Sequence, residues 1–382
     1  MMHIKRYIQQ LSELVALPSV SCASPNLDMS NKAVVDTLAS WFEPLGFDCR
    51  IEPVKDHPGK YNLIAVRGQG DGGVVFAGHT DTVPYNAERW QQDPFKLTEK
   101  NERLYGLGAT DMKGFFPAVW AALQAFENTE FNEPVIIIAT ADEESSMSGA
   151  RALAEQLMPK ARYAIIGEPT EMRPVNMHKG ILMEAIKIQG KAGHSSNPAL
   201  GVNAMESMHS VMGELLRYRH ELQQKYQNSH FEVTVPTLNL GCIHGGDSPN
   251  RICSACELHF DLRMLPGMNI DELRAEFEQR LQPVAEQHGT DIIFSTLFAG
   301  VPAFEQPAES ELIQTVSQLT QFEPKAVAFA TEAPYLQSLG MQTVVMGPGS
   351  IDQAHQANEF IALSEIAPAV KVLEGIIRRF CV

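Results

Sequence analysis

A chain of 382 residues exceeds what one ordinary core organises and points to two or three domains. Hydrophobic residues make up 44% and charged residues 20%, a composition that excludes disorder as the main state. The 46 acidic against 30 basic residues leave a net charge of -16, which repels nucleic-acid phosphates and anionic membranes and points to small-molecule partners.

No apolar run is long enough to span a bilayer. The first ten residues turn amphipathic and polar at once, without the apolar centre of a signal peptide, which predicts a cytoplasmic chain. Six cysteines over this length form no disulfide framework and fit a reducing compartment.

In chain order, 2–17 and 31–46 read as amphipathic helices, then 48–54 and 61–67 as strands. Four short runs, 74–77, 135–139, 163–166 and 343–346, are apolar without alternation. Such runs predict strands buried on both faces of a helix-covered, largely parallel sheet, with helices near 113–127 and 146–157 between them. The middle of the chain differs. A strand at 181–190, a helix at 201–226, strands at 232–243 and 251–263, a helix at 270–288 and a strand at 291–297 give the order β-α-β-β-α-β, a ferredoxin-like α+β arrangement. Its alternating strands predict one open face and one helix-covered face. Helices at 309–321, 332–338 and 362–380 then resume the first style. The expectation is an α/β domain over 1–177 and 298–382, interrupted by an inserted α+β domain at 178–297.

Two local features carry weaker messages. Cys253 and Cys256 are spaced like half a zinc site, but period-two alternation over 252–263 places them on opposite faces of one strand, against a shared metal. The loop at 68–73 satisfies G-x-G-x-x-G, yet a strand follows it instead of a helix, so it reads as a hairpin turn and not a pyrophosphate cradle.

Ligands in open α/β sheets gather beyond the carboxyl ends of the strands. His79 and Asp81 follow the first apolar run, Asp142, Glu143 and Glu144 the second, Glu168 the third, and His355 lies beyond the fourth. Asp111 stands immediately before a helix. Singly these residues have ordinary explanations: a core histidine, an acidic helix start, an N-cap, a turn. Jointly they bring two histidines and three or four carboxylates to one rim. That is more than one zinc ion needs and about right for two bridged by a carboxylate.

The stretches His79-Thr80-Asp81-Thr82-Val83-Pro84, Asp111-Met112-Lys113-Gly114, Asp142-Glu143-Glu144, Gly167-Glu168-Pro169-Thr170 and Gly193-His194-Ser195-Ser196, with His355, resemble the M20 family of dinuclear zinc amidohydrolases and peptidases. Further stretches at 139–144, 178–180, 239–246, 331–334 and 347–350 resemble its members that remove an acetyl group from a small amino acid. The resemblance implies two divalent ions, Zn²⁺ or Co²⁺, bridged by Asp111, with His79 and Glu168 on one and Glu144 and His355 on the other. It further implies that Asp81 orients His79 through the second ring nitrogen, that the peptide after Asp111 is cis, and that Glu143 is the general base. His194, from the partner subunit of a homodimer, would donate to the oxyanion. The inserted domain would serve as lid and dimerisation element. Asn250, Arg251, Arg263 and Thr331 match positions that hold a substrate carboxylate, and Glu332 or Asp247 would face a substrate ammonium.

Overall fold

The computed structural model describes residues 2–382, apart from the side chains of residues 2 and 3. The chain forms two compact units, one of Met1–Asn176, Gln306–Lys325 and Thr331–Val382, the other of Met177–Glu305 with Ala326–Ala330.

The larger unit opens with α1 (Met2–Val15), α2 (Lys32–Phe42), β1 (Asp48–Pro53), β2 (Tyr61–Arg67) and β3 (Val74–His79). A short pair, β4 (Thr98–Lys100) and β5 (Arg103–Tyr105), leads to α3 (Phe115–Leu123), β6 (Val135–Thr140), α4 (Ser148–Gln156) and β7 (Tyr163–Pro169). After β8 (Val175–His178), the smaller unit runs through β9 (Gly180–Gln189), α5 (Ala204–Lys225), β10 (Thr237–Gly245), β11 (Ala255–Met264), α6 (Ile270–Gln287), β12 (Asp291–Val301) and β13 (Phe304–Glu305). The chain returns through α7 (Glu311–Thr320), β14 (Lys325–Val327), α8 (Ala333–Ser338), β15 (Gln342–Gly347), β16 (Phe360–Ala362) and α9 (Leu363–Phe380).

The main sheet of the larger unit has the order β1-β2-β6-β3-β7-β15. β3 is parallel to β6 and β7, and β7 to β15, while β2 runs antiparallel to both β6 and the edge strand β1. Every residue of β3, β6 and β7 is buried, as their uniform apolar runs require when helices cover both faces. Phe115, Phe116 and Val119 of α3 share one core with Leu373 and Ile377 of α9, Leu11 of α1 and Leu38 of α2. Because four neighbouring strands are parallel, their carboxyl ends open on one side of the sheet. The loop at 68–73 is not a hairpin turn: β6 lies between β2 and β3. Its Gly72 N–H donates to Glu133 Oε2 at 3.1 Å, so the loop folds over the segment leading into β6. Local glycine chemistry cannot reveal a strand that arrives sixty residues later.

The smaller unit is an antiparallel sheet in the order β10-β11-β9-β12, the ferredoxin-like arrangement. The Asn203 side chain caps α5 by accepting from Met205 N–H, and Asn269 caps α6 by accepting from Asp271 and Glu272 N–H. Leu258, Phe260 and Leu262 of β11 pack with Met208 and Leu215 of α5 and Phe277 of α6, while Glu257, His259, Asp261 and Arg263 point to the opposite, open face. This unit keeps 298–305 and 326–330, which the sequence assigns to the larger domain. β12 stays paired with β9 past residue 297, with Phe298 opposite Met183 and Val301 opposite Ile181. Strand alternation also begins later than expected, at Ala255. Cys253 therefore precedes β11, and both Cys253 and Cys256 are buried in the same core instead of facing opposite ways. No helix among the described residues is long and apolar enough to cross a membrane.

Gly347, where β15 reaches the carboxyl edge, has no room for a side chain: a Cβ there would lie 2.1 Å from the Gly167 carbonyl oxygen. That neighbour is backbone and cannot rotate away. Gly347→Ala should force β15 from β7 and lower stability by about 1–3 kcal/mol or more, read as a shift of the urea midpoint. An unchanged midpoint would show that the two strands have slack.

Candidate metal centre

His79, Glu143, Glu144 and Glu168 are positioned where buried strands end, whereas Asp111 and His355 come from longer loops. At the end of β3, His79 is buried, and its Nδ1 lies 3.0 Å from the Asp81 carbonyl oxygen, to which it donates. The Asp81 carboxylate is 3.7 Å from that nitrogen and does other work. Its two oxygens accept from the backbone N–H groups of Glu143 and Glu144, at 3.2 and 3.1 Å. The expected side-chain contact between Asp81 and His79 is thus replaced by a main-chain one, because a carboxylate two residues along is drawn to the turn beyond β6.

That turn is held in an unusual conformation. Asp142 has φ +59, left-handed backbone that a non-glycine residue adopts only when held. Ser21 Oγ and Ser148 Oγ donate to its carboxylate at 2.9 and 3.1 Å, and buried Lys60 Nζ sits 2.7 Å from it. Glu143 and Glu144 are presented by this pinned turn. Glu168 follows from the end of β7.

Asp111 approaches from the loop before α3, through a cis peptide to Met112. Glu359 fixes this loop by accepting from the N–H groups of Gly108, Thr110 and Asp111 at 2.9, 2.8 and 3.0 Å. Asp111 Oδ1 is 3.0 Å from His79 Nε2, and its Oδ2 is 3.4 Å from His355 Nε2. His355 Nε2 is also 3.0 Å from Glu144, and Glu168 Oε1 is 4.0 Å from His79 Nε2. One carboxylate therefore faces two imidazoles, each with a second carboxylate beside it. Donor atoms of His79, Asp111 and Glu144 lie within 4.8 Å of one another, as do those of His79, Glu143 and Glu168.

The electrostatics match a cation-binding cluster. Burial, then the neighbouring Glu168, pushes the Glu143 carboxyl well above its usual range. Burial and Asp111 do the same to Glu168, and Glu144 is raised by the same causes. Burial opposes protonation of His79, but the bond to Asp111 and the nearby Glu168 outweigh it and carry its pKa well above the ordinary value. His355 is pushed up to about 10 by its contacts with Asp111 and Glu144. Asp111 is held well below the carboxylate range, because the two histidines outweigh its burial. The donor set passes the test for a pair of divalent ions: two imidazoles and hard carboxylates, with more buried negative charge than the protein's own cations offset. His79, Asp111 Oδ1 and Glu168 could hold one ion, and His355, Asp111 Oδ2 and Glu144 another.

The remaining candidates are distributed between the units. Thr331 is buried in the larger unit and its Oγ1 accepts from Ala333 N–H at 3.1 Å. Beside it, Glu332 is buried with one oxygen accepting from Thr140 Oγ1 at 2.9 Å and the other unpartnered. In the smaller unit, exposed His194 forms an antiparallel bridge with Arg251, and the Asn250 carbonyl accepts from Ser195 N–H at 3.1 Å, so these three gather where two loop segments pair. Arg251 is ion-paired with Asp247. Arg263 stands apart on the open face, donating from Nε to Asp261 at 2.9 Å. Sequence reasoning missed Glu359 and Lys60, since neither sits in a motif and both stand just before a strand, β16 and β2, instead of beyond a carboxyl end.

Glu359→Ala should loosen the Asp111 loop and weaken metal binding by about 10–100-fold, measured by equilibrium dialysis; unaltered affinity would deny the cradle its orienting role. Glu332 gives a pH test. Burial, outweighing the Thr140 bond, pushes its pKa up from 4.5 to about 7. The folded chain then keeps a proton that the unfolded chain has released, so the stability from this group is fully present below about 4.5 and is lost as pH rises through about 7. In metal-free protein, Glu332→Gln should remove that part of the pH slope, on the order of 3 kcal/mol across the window. A slope identical to that of the wild type would mean the carboxyl ionises freely.

A family model described as peptidase family M20/M25/M40 matches residues 75–379. The chain is 45% identical over 375 residues to the acetylornithine deacetylase of Klebsiella pneumoniae (strain 342), covering 98% of each chain. Among solved structures it is similar to a tripeptidase from Staphylococcus aureus subsp. aureus Mu50, 18% identical over 98% of each chain with a TM-score of 0.75. It is equally similar to an M20 family metallo-carboxypeptidase from Sulfolobus solfataricus, 19% identical over 97% of this chain and 98% of that one, again with a TM-score of 0.75. At such low identity these two likenesses concern the fold alone. The family match spans most of the chain and the curated relative spans nearly all of it, so the chain belongs to the M20/M25/M40 peptidase family.

Proposed function

We propose that the chain hydrolyses N²-acetyl-L-ornithine to L-ornithine and acetate, a step of arginine biosynthesis, as a cytoplasmic homodimer. The observation that carries this reading is the 45% identity, over 98% of both chains, to an acetylornithine deacetylase. The chemistry rests on the Asp111 carboxylate, whose two oxygens lie 3.0 and 3.4 Å from His79 and His355.

Asp111 would bridge two ions, Zn²⁺ or Co²⁺, completed by His79 and Glu168 on one side and by Glu144 and His355 on the other. Bound there, they would supply Lewis acidity, lowering the pKa of water from 15.7 to roughly 7. Glu143 takes the proton of the attacking water and returns it to the amine nitrogen as the C–N bond breaks. Its raised pKa suits both halves of that transfer. Asp81 supports the reaction indirectly: its carbonyl sets the His79 ring, and its carboxylate holds the backbone of Glu143 and Glu144.

His194, contributed by the partner subunit as the family resemblance implies, would donate to the developing oxyanion. Ser196 N–H donates to its Nδ1 at 3.2 Å, so the neutral ring carries its proton on Nε2, where a donor is needed. Asn250, Arg251, Arg263 and Thr331 would hold the substrate carboxylate. Of the two acids considered for the substrate ammonium, Asp247 is already paired with Arg251, which favours Glu332 with its unpartnered oxygen. The inserted unit would form the dimer contact.

A family member specific for succinyl-diaminopimelate, or an aminoacylase or aminopeptidase, would share the metal cluster and differ in the pocket. A binding protein without catalysis is disfavoured because the base and all five candidate ligands are present. Rates on acetylornithine and succinyl-diaminopimelate, measured side by side, test the substrate: faster succinyl cleavage overturns it. Glu143→Ala should lower kcat by about 10²–10⁴-fold or more while metal content stays near two per chain. Chelation should abolish activity, and full turnover by metal-free protein would refute the mechanism.

A further inference from the structure

The open face of the smaller unit's sheet carries a group of side chains that the hydrolytic reading does not use. Cys242 and His244 lie on β10, and their cross-strand partners on β11 are His259 and Glu257 respectively. Residues two apart on a strand share a face, and directly opposed residues have Cβ atoms about 5 Å apart. Thiol, two imidazoles and carboxylate thus occupy the four corners of one small patch of sheet. Cys242 Sγ is 3.0 Å from His244 Nε2, and His259 Nε2 is 2.8 Å from Glu257 Oε1. The two imidazole rings are 6.3 Å apart between centroids.

A local irregularity of the strand creates this patch. Leu238 and Leu240 of β10 pair with Leu262 and Phe260 and pack into the helix-covered core. Unbroken alternation would send Cys242 and His244 into that core as well. The register shifts between Leu240 and Cys242, leaving Gly241 as an extra, unpaired residue. A bulge of this kind reverses which face the following residues occupy. Cys242 and His244 are thereby turned outward to meet His259 and Glu257. Cys242 is exposed, whereas the other five thiols are buried or half-buried.

We propose that Cys242, His244, Glu257 and His259 form a site for a zinc-class divalent cation, separate from the cluster around Asp111. The donors suit it: one thiolate and two imidazoles are borderline-soft ligands, and the carboxylate completes a set of four. Thiolate and carboxylate together balance the charge of a dication. Rings that share one zinc have centroids about 5–6 Å apart, given Zn–N bonds of about 2.1 Å, so the two imidazoles would draw about 1 Å closer and the thiol and carboxylate would turn in towards them. The thiol–imidazole contact orients the donors of β10 and the imidazole–carboxylate contact those of β11, while the strand pairing sets one pair opposite the other.

Cobalt gives a readout that the Asp111 cluster cannot imitate, because that cluster contains no sulfur. On titrating the purified full-length protein with Co²⁺, a sulfur-to-cobalt charge-transfer absorption should appear in the near ultraviolet and saturate at one equivalent of bound thiolate site. Cys242→Ser should abolish the absorption and leave amide hydrolysis unchanged. His259→Ala should weaken cobalt binding by roughly tenfold or more, since losing even an outer-shell partner costs about 10–100-fold. No absorption, or an absorption that survives Cys242→Ser, overturns the proposal. Neither result touches the hydrolase reading, which depends on activity and not on sulfur.

Discussion

Buried carboxylates repel one another, and the larger unit gathers them around Asp111 at the carboxyl ends of its parallel strands. Glu143, Glu144 and Glu168 all have pKa values raised by burial and by neighbouring acids, while Asp111 is held ionised between two imidazoles. Folding this cluster is unfavourable unless positive charge is brought in, and the two histidines supply too little. The surrounding structure is organised to hold the acids in place against that repulsion. Glu359 ties down the backbone before Asp111, Asp81 ties down the backbone of Glu143 and Glu144, and Lys60 with two serines pins Asp142. The rigid base for these ties is the set of strands β3, β6 and β7, buried along their whole length.

Much of this was legible because uniform apolar runs have one common explanation, a strand covered on both faces. The runs at 74–77, 135–139 and 163–166 each became a core strand, and each delivered its histidine or carboxylate to the same edge. What escaped was non-local. The insertion of β6 between β2 and β3 is decided by chain arriving much later, so a glycine-rich loop looked like a hairpin. The three-residue strands β4, β5 and β16 are too short to show a period. Asp81 was placed on the right histidine but through the wrong atom, since side-chain and main-chain acceptors two residues away are indistinguishable from spacing.

The two units differ in how much their faces reveal. In the larger one, burial on both sides erases alternation, so sequence shows that a strand exists but not its neighbours. In the smaller one, alternation survives and marks which face the helices cover. A single extra glycine in β10 then breaks the rule, and only the pairing register shows which side chains change face. Such a bulge has little effect on the fold and a large effect on surface chemistry.

The route of the chain through the larger unit sets an order of events during synthesis. His79, Asp111, Glu143, Glu144 and Glu168 all emerge before the smaller unit, whereas His355 and the supporting Glu359 emerge after it, shortly ahead of α9. A nascent chain therefore carries an acidic half-centre through the translation of some hundred and thirty intervening residues of the second unit, and closes it only when the last strands dock. The full set of donors thus exists only in chains that have already threaded the insertion and returned.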